Sequence, residues 1–307
     1  MSEVACFGEV LWDIFQDGDD FHRAIGGAIA NAAVDLARVG IKTRLVGGIG
    51  DDRFGRELDE RVRGEGVDTS GLVALPQRTG LTFITRDSKG EPTFFFYRQN
   101  SADMSVEAKH LTPKMARAKW ILVGSSTLPV RKLRDATFHF IRMARRAGAG
   151  ILVDVNVRAH LWRSRAEMIR ESARLVRAAD VVKGSVPDIR ALGGEPFLKR
   201  HASRALCVIT DGQRPARAWK DDVRVRRPAL KTKCVDATGG GDAFVAGILA
   251  ALVRGNVRPG SDKLGNAEFL ANALDIGHSL GSKAVSKVGA VTGLVNLGPV
   301  RAKLRRL

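Results

Sequence analysis

A single tyrosine occurs in 307 residues, beside 13 phenylalanines and 4 tryptophans. So few aromatic rings interleave with the basic residues that a surface for stacking nucleic-acid bases is not expected. Acid is also scarce: 33 Asp and Glu face 50 Lys and Arg, a formal net charge of +17. The basic residues are spread along the chain. Clusters such as Arg142, Arg145, Arg146 and Arg301, Lys303, Arg305, Arg306 fit solvated helix faces. The charge therefore reads as a field that favours anionic substrates, not as a nucleic-acid footprint. Cysteine is limited to Cys6, Cys207 and Cys234, odd in number and widely spaced. That excludes a disulfide framework and predicts free thiols in a reducing cytoplasm. The six histidines offer no metal-ligand spacing. No apolar run reaches bilayer length, so no membrane partner is expected. The first ten residues lack a basic segment leading into an apolar one, so no signal peptide is expected.

Several nucleotide and hydrolase signatures are missing as well. There is no G-x-x-x-x-G-K-[ST] run and no G-x-G-x-x-G. The stretch Gly277-His278-Ser279-Leu280-Gly281 matches a nucleophile elbow, but no histidine follows Ser279 and residues 267–276 read as helix.

What is present is an alternation of strand and helix. With 44% hydrophobic and 27% charged residues, the composition suits one globular domain with a sizeable core. Residues 4–7, 43–46, 120–123, 150–155, 181–182 and 206–210 read as buried strands. Residues 28–39, 54–64 and 131–146 show helical periodicity. The expected fold is α/β, a three-layer αβα sandwich with a mostly parallel central sheet. One segment breaks the pattern. Residues 81–85 and 93–97 are β-rich and flank the turn signal Asp87-Ser88-Lys89-Gly90. This hairpin, with residues 12–25, reads as a small β lid over about 12–25 and 78–103 of a single domain spanning 1–307. An edge extension of the main sheet is the alternative.

The most informative run is Asp236-Ala237-Thr238-Gly239-Gly240-Gly241-Asp242, followed by an apolar helical pattern. A glycine loop opening a helix leaves several N–H groups unpaired and pointing one way. With the helix dipole they form a site for phosphate. A carboxylate at that spot repels a static anion, but it suits a base taking a proton from a hydroxyl that attacks a phosphoryl group. The plain alternative is a helix cap with an aspartate favourable at the N-terminus.

The chain resembles the ribokinase-like (PfkB) family of sugar kinases over nearly its whole length. The resemblance rests on Phe7 to Asp13, Gly26 to Ala33 with Leu36 to Gly40, Gly47 to Gly55, Gly66 to Ser70, and Asp236 to Leu249. Residues 96–104, the run Asp154 to Arg158 with Leu161-Trp162, and the Phe-Gly-Glu start look like those of fructokinases. The second of these stretches is shared with 2-keto-3-deoxygluconate kinases.

The resemblance implies an ATP-dependent, magnesium-dependent transfer to a sugar hydroxyl. Asp242 would be the base, and the amides of Gly239, Gly240 and Gly241 the anion hole. Asp13, Gly27, Asn31 and Arg98 would hold sugar hydroxyls, with Asn156 and Arg158 at a strand end beside them. Arg98 could also reach the phosphoryl group, or be a snorkelling edge arginine. Ser185, Thr210, Gly212 and His278 would face the nucleotide, although 210–212 also fits an ordinary turn. Asp188 would organise the metal. A monovalent cation near Asp236 and Thr238 and a homodimer through the lid are further implications.

Five positions depart from the family pattern. Ala237 replaces a hydroxyl residue, and Gly240 a frequent alanine. Ser185-Val186-Pro187-Asp188 stands for N-x-x-E, and His278 for an asparagine. The readings left open are a 2-keto-3-deoxygluconate or nucleoside kinase, and a non-catalytic sugar-binding or nucleic-acid-associated relative.

Overall fold

The computed structural model describes residues 2–86 and 92–307. In chain order the elements are β1 (Val4–Phe7), β2 (Leu11–Asp17), β3 (Asp20–Gly26), α1 (Ala28–Arg38), β4 (Thr43–Gly50), α2 (Arg53–Gly64), β5 (Asp68–Leu75), β6 (Leu81–Arg86) and β7 (Pro92–Tyr97). There follow β8 (Trp120–Gly124), α3 (Arg131–Arg146), β9 (Gly150–Asp154), α4 (Arg165–Arg177), β10 (Val181–Ser185), α5 (Val186–Leu192), α6 (Glu195–His201) and β11 (Leu206–Asp211). The chain closes with β12 (Arg214–Lys220), β13 (Val223–Arg227), α7 (Gly240–Arg254), α8 (Ala267–Ala284) and α9 (Gly298–Leu304).

The main sheet runs β13-β12-β11-β10-β9-β8-β1-β4-β5. From β11 to β5 every pairing is parallel; β12 and β13 add an antiparallel edge. Parallel strands buried on both faces read as continuous apolar runs. Strands β1, β8 and β9 fit this rule and are buried throughout. Two hydrophobic clusters fill the two faces. One gathers α1, α7 and α8; the other gathers α3, α4 and α6. The expected three-layer sandwich is the observed one.

The sequence pattern missed β5, β12 and β13. All three lie toward a sheet edge and carry half-exposed, charge-bearing patterns. In β5 and β12 the apolar residues are too few and too broken by polar ones to alternate clearly, and β13 alternates over only five residues.

The hairpin β6–β7 joins β2–β3 in a separate sheet, β3-β2-β6-β7, with β2 parallel to β6. It is a second layer over the main domain, not an extension of the main edge. The turn at residues 87–90 lies outside the described residues. Phe83 anchors the lid, its ring edge-on to Phe21 at 6.0 Å and to Tyr97 at 5.2 Å. Phe96 meets the main domain, stacked on His160 at 4.7 Å.

Helix α7 is buried from Ala243 through Val253, packed against α1 and α8. The elbow-like run of residues 277–281 belongs to this packing. A Cβ on Gly277 would fall 2.9 Å from the Phe244 ring, and Ser279 Oγ donates to the Asp275 carbonyl at 2.7 Å. Its glycines admit a neighbouring helix, and its serine is spent within α8.

Candidate active site

The carboxyl ends of β9, β10 and β11, the N-terminus of α7 and the inner face of the lid enclose a cavity of about 1370 Å³. Open α/β sheets place ligands at such strand ends. The residues singled out in the sequence for catalysis and for sugar, nucleotide and metal binding all line this cavity: Asp13, Gly27, Asn31, Arg98, Asn156, Arg158, Ser185, Asp188, Thr210, Gly212, Gly239, Gly240, Gly241, Asp242 and His278.

Gly239 caps α7 at φ 76°, in the left-handed region that glycine enters without steric cost. A Cβ there would lie 2.4 Å from the Ala290 carbonyl oxygen. Asp236 fixes the loop from the other side. Its carboxylate accepts from the Thr238 N–H (2.9 Å) and hydroxyl (2.7 Å), and from the Gly289 N–H (2.9 Å). The Gly240 N–H bends back to the Ala237 carbonyl at 3.3 Å. The N–H groups of Gly239, Gly241 and Asp242 have no acceptor among the described residues. In the expected triple-glycine set, the Asp242 N–H thus takes the place of the Gly240 N–H.

Asp242 stands in the first turn of α7, half-buried, and its Oδ2 accepts from Asn31 Nδ2 at 3.0 Å. Burial pushes its carboxyl above the ordinary value; the Asn31 hydrogen bond, Lys183 and Arg158 pull it back, while Glu9 adds to the rise. Asp13, on β2, is pushed up to about 7, first by burial and then by Asp242, against the pull of Arg98 and Arg158. Two carboxylates of unequal exposure share one polar wall, which is where acid–base roles arise.

Two residues not singled out in the sequence complete the site. Lys183, on β10, is buried and paired with Asp154 on β9 at 3.1 Å. A Cβ on Gly241 would lie 3.4 Å from its Nζ, so the ammonium faces the glycine turn. Burial alone would lower its pKa; Asp154, Asp188 and Asp242 outweigh that and keep it charged. Glu9 follows β1, buried, and accepts from the Ala28 N–H at 3.1 Å and from the Ser126 hydroxyl. It balances the positive end of α1. Gly27, at φ 95°, admits it: a Cβ there would meet the Glu9 carbonyl oxygen at 2.6 Å. The signal for both was a charge set in an otherwise apolar buried segment, which is rare without a partner or a task.

Some candidates are already engaged. Arg98 is neither loose nor snorkelling. It is buried just beyond β7, with Nε 3.0 Å from Asp103 Oδ2. Asp188 Oδ1 accepts from the Val157 N–H (2.8 Å), and its Oδ2 from the Ser185 N–H (2.9 Å) and hydroxyl. Together Ser185 and Asp188 form the capping box of α5. Asn156, two residues beyond the end of β9, holds φ 27°. His278 sits on α8 with Nε2 3.2 Å from the Arg227 carbonyl oxygen and its ring edge-on to Phe244 at 5.2 Å. Burial lowers its pKa, which favours the neutral imidazole. Among the described residues no group of three or more His, Cys, Asp or Glu could hold a metal by itself.

A helix terminus offering free amides, a neighbouring cation, a carboxylate poised beside both and a polar wall under a lid define a kinase for small hydroxylated substrates. The pfkB family carbohydrate kinase profile matches residues 1–296, and the chain belongs to that family. It is 33% identical over 309 residues to a probable chloroplastic fructokinase-6 of Arabidopsis thaliana, covering 95% of this chain and 79% of that protein. It superimposes on the crystal structure of a Xylella fastidiosa fructokinase with bound ATP at a TM-score of 0.90. The identity there is 27%, over 100% of this chain and 99% of that one. A Vibrio cholerae fructokinase with fructose, ADP and calcium bound gives a TM-score of 0.87 at 29% identity, over 99% of each chain.

Proposed function

We propose that the protein is an ATP-dependent fructokinase. The observation that carries this reading is the placement of Asp242. Its carboxylate lies at the open end of α7, beside unpaired amides and held by Asn31. A fructose hydroxyl bound against Asp13, Gly27 and Asn31 would give its proton to Asp242 as it attacks the γ-phosphoryl group. The amides of Gly239, Gly241 and Asp242 and the Lys183 ammonium would take up the charge on the transferring oxygens. Arg98, fixed by Asp103, supplies a positive wall without moving. Thr210, Gly212, Ser185 and His278 frame the nucleotide side of the cavity. Lid closure over the sugar keeps water from competing for the phosphoryl group.

A divalent ion, Mg²⁺ in this reading, would offset the charge of the nucleotide phosphates. Asp188 suits contact through the ion's waters, since one Oδ1 lone pair is left after its protein bonds, and Mg²⁺ commonly keeps several waters. The carbonyl and hydroxyl groups around Asp236 and Thr238 suit a monovalent cation. The lid exposes Phe21, Phe95 and Tyr97, apolar surface that a second copy would cover; a monomer by light scattering would remove that part of the reading.

One observation supports a second substrate class. Arg158 lines the cavity and forms no salt bridge with a described carboxylate, so it could receive the acid group of 2-keto-3-deoxygluconate. ADP release measured against fructose, that keto acid and a nucleoside panel decides between them. Turnover confined to the keto acid would replace the fructose reading, and silence with every acceptor would refute both.

A further inference from the structure

Asp35 lies on α1 one helical turn beyond Asn31, and it is fully buried. Neither of its carboxyl oxygens has a hydrogen-bond partner, and neither does Asn31 Oδ1. Residues four apart stack on one face of a helix, so these three orphaned atoms share one buried strip behind Asp242. The charges around Asp35 are Asp242 on α7, Arg38 one turn further along α1, and Glu65 at the end of α2. The only cation of the three is turned away. Arg38 is bound to Glu65 at 2.8 Å and to the Val291 carbonyl. A buried carboxylate without a partner is costly, so the proton stays on. A protonated carboxyl is a hydrogen-bond donor.

We propose that Asp35 is a positioning residue for the catalytic base: as a neutral acid it donates, through one internal water, to Asn31 Oδ1. This rests on the kinase reading above. The two ends of a carboxamide have the same shape, and only neighbouring donors and acceptors decide which end faces where. A donor behind Oδ1 holds Nδ2 toward Asp242. An ionised Asp35 would attract Nδ2 instead, turn Oδ1 onto the base and remove its hydrogen bond. A bridging water needs two or more polar partners, and the three orphaned atoms provide them. Burial and Asp242, in that order, raise the Asp35 carboxyl well above its ordinary range, in keeping with the neutral form.

The test compares Asp35→Asn, which keeps a donor of the same shape, with Asp35→Leu, which has none. With Asn31 no longer oriented, Asp242 loses a hydrogen bond that favours its charged form. The other charges facing Asp242 (Glu9, Asp13, Arg158, Lys183 and Asp154) are unchanged in both variants. The acid limb of kcat/KM against pH should therefore move up by about one pH unit in Asp35→Leu, a roughly tenfold loss on that limb, and stay in place in Asp35→Asn. An unshifted limb in Asp35→Leu, or equal damage in both variants, overturns the proposal. So does a monovalent-cation requirement that disappears in Asp35→Asn, because that would mean an ion bound to a charged Asp35. Two readouts need no turnover. The infrared difference between wild type and Asp35→Asn should contain a carboxylic-acid carbonyl band at neutral pH. The Asn31 side-chain amide resonance should move in Asp35→Leu alone. If no acceptor is phosphorylated but both signals behave so, the kinase reading fails and the Asp35 assignment stands; absence of either signal overturns the assignment.

Discussion

Replacing Asp242 by Asn removes the proposed base and little else. The variant keeps one oxygen that can accept from Asn31 Nδ2, so the 3.0 Å bond between α1 and α7 survives. Asn fills the same volume, and the amides of Gly239 and Gly241 are untouched. The rate should fall by the worth of a general base, about 10²–10⁴-fold, or about 3–5 kcal/mol in the barrier. Fructose affinity by calorimetry should stay within about threefold, because base chemistry is realised only in the transition state. Stability should move the other way. The Asp242 pKa lies above its ordinary 3.8 even after the pull of Asn31, Lys183 and Arg158, so the native state disfavours the charged form. That cost is absent below the unfolded value and complete above the native one, so Asp242→Asn should melt higher than wild type at about pH 8 and lose its advantage as pH falls toward about 4. The assays are coupled ADP release and a melting series across pH. A variant keeping more than about a tenth of the rate refutes the role of Asp242, and a lower melting point near neutral pH refutes the electrostatic account.

Three further outcomes follow from the same geometry. Gly241→Ala would place a methyl 3.4 Å from Lys183 Nζ, inside the phosphate cradle; the protein should fold normally and lose about tenfold in kcat/KM for ATP, checked by titrating the nucleotide at saturating sugar. Lys183→Met strands the Asp154 carboxylate in the interior, a loss of about 3–5 kcal/mol; adding Asp154→Asn should restore the denaturation midpoint without restoring the rate. Asp13 is ionised only above about 7. If its carboxylate takes the sugar hydroxyls, the fructose KM should rise about tenfold per pH unit below that value, and Asp13→Asn should show a flat, weak KM.

Much of the candidate site was legible because the relevant residues are contiguous. The glycine turn, Asp242 in the next turn and the apolar helix behind it form one local unit, and a helix opening has the same unpaired donors wherever it occurs. The lid was legible from two β-rich runs around a turn signal. Ser185 and Asp188 also have a local pattern, the capping box of α5; the structure adds what the pattern did not carry, the Ser185 hydroxyl on Asp188 Oδ2 and the Val157 N–H on Asp188 Oδ1.

The sequence by itself determined the layers, the lid and the glycine turn with the aspartate proposed as base, since periodicity and turn chemistry act over a few residues. Tertiary structure alone decided what surrounds that base. Asn31 reaches Asp242 across 211 positions, and Lys183 meets Asp154 across 29. The high Asp13 pKa and the orphaned Asp35 carboxyl arise the same way. The physical reason is that ionisation and hydrogen-bond satisfaction depend on how much water is excluded and which remote groups replace it, and neither is fixed until distant segments pack.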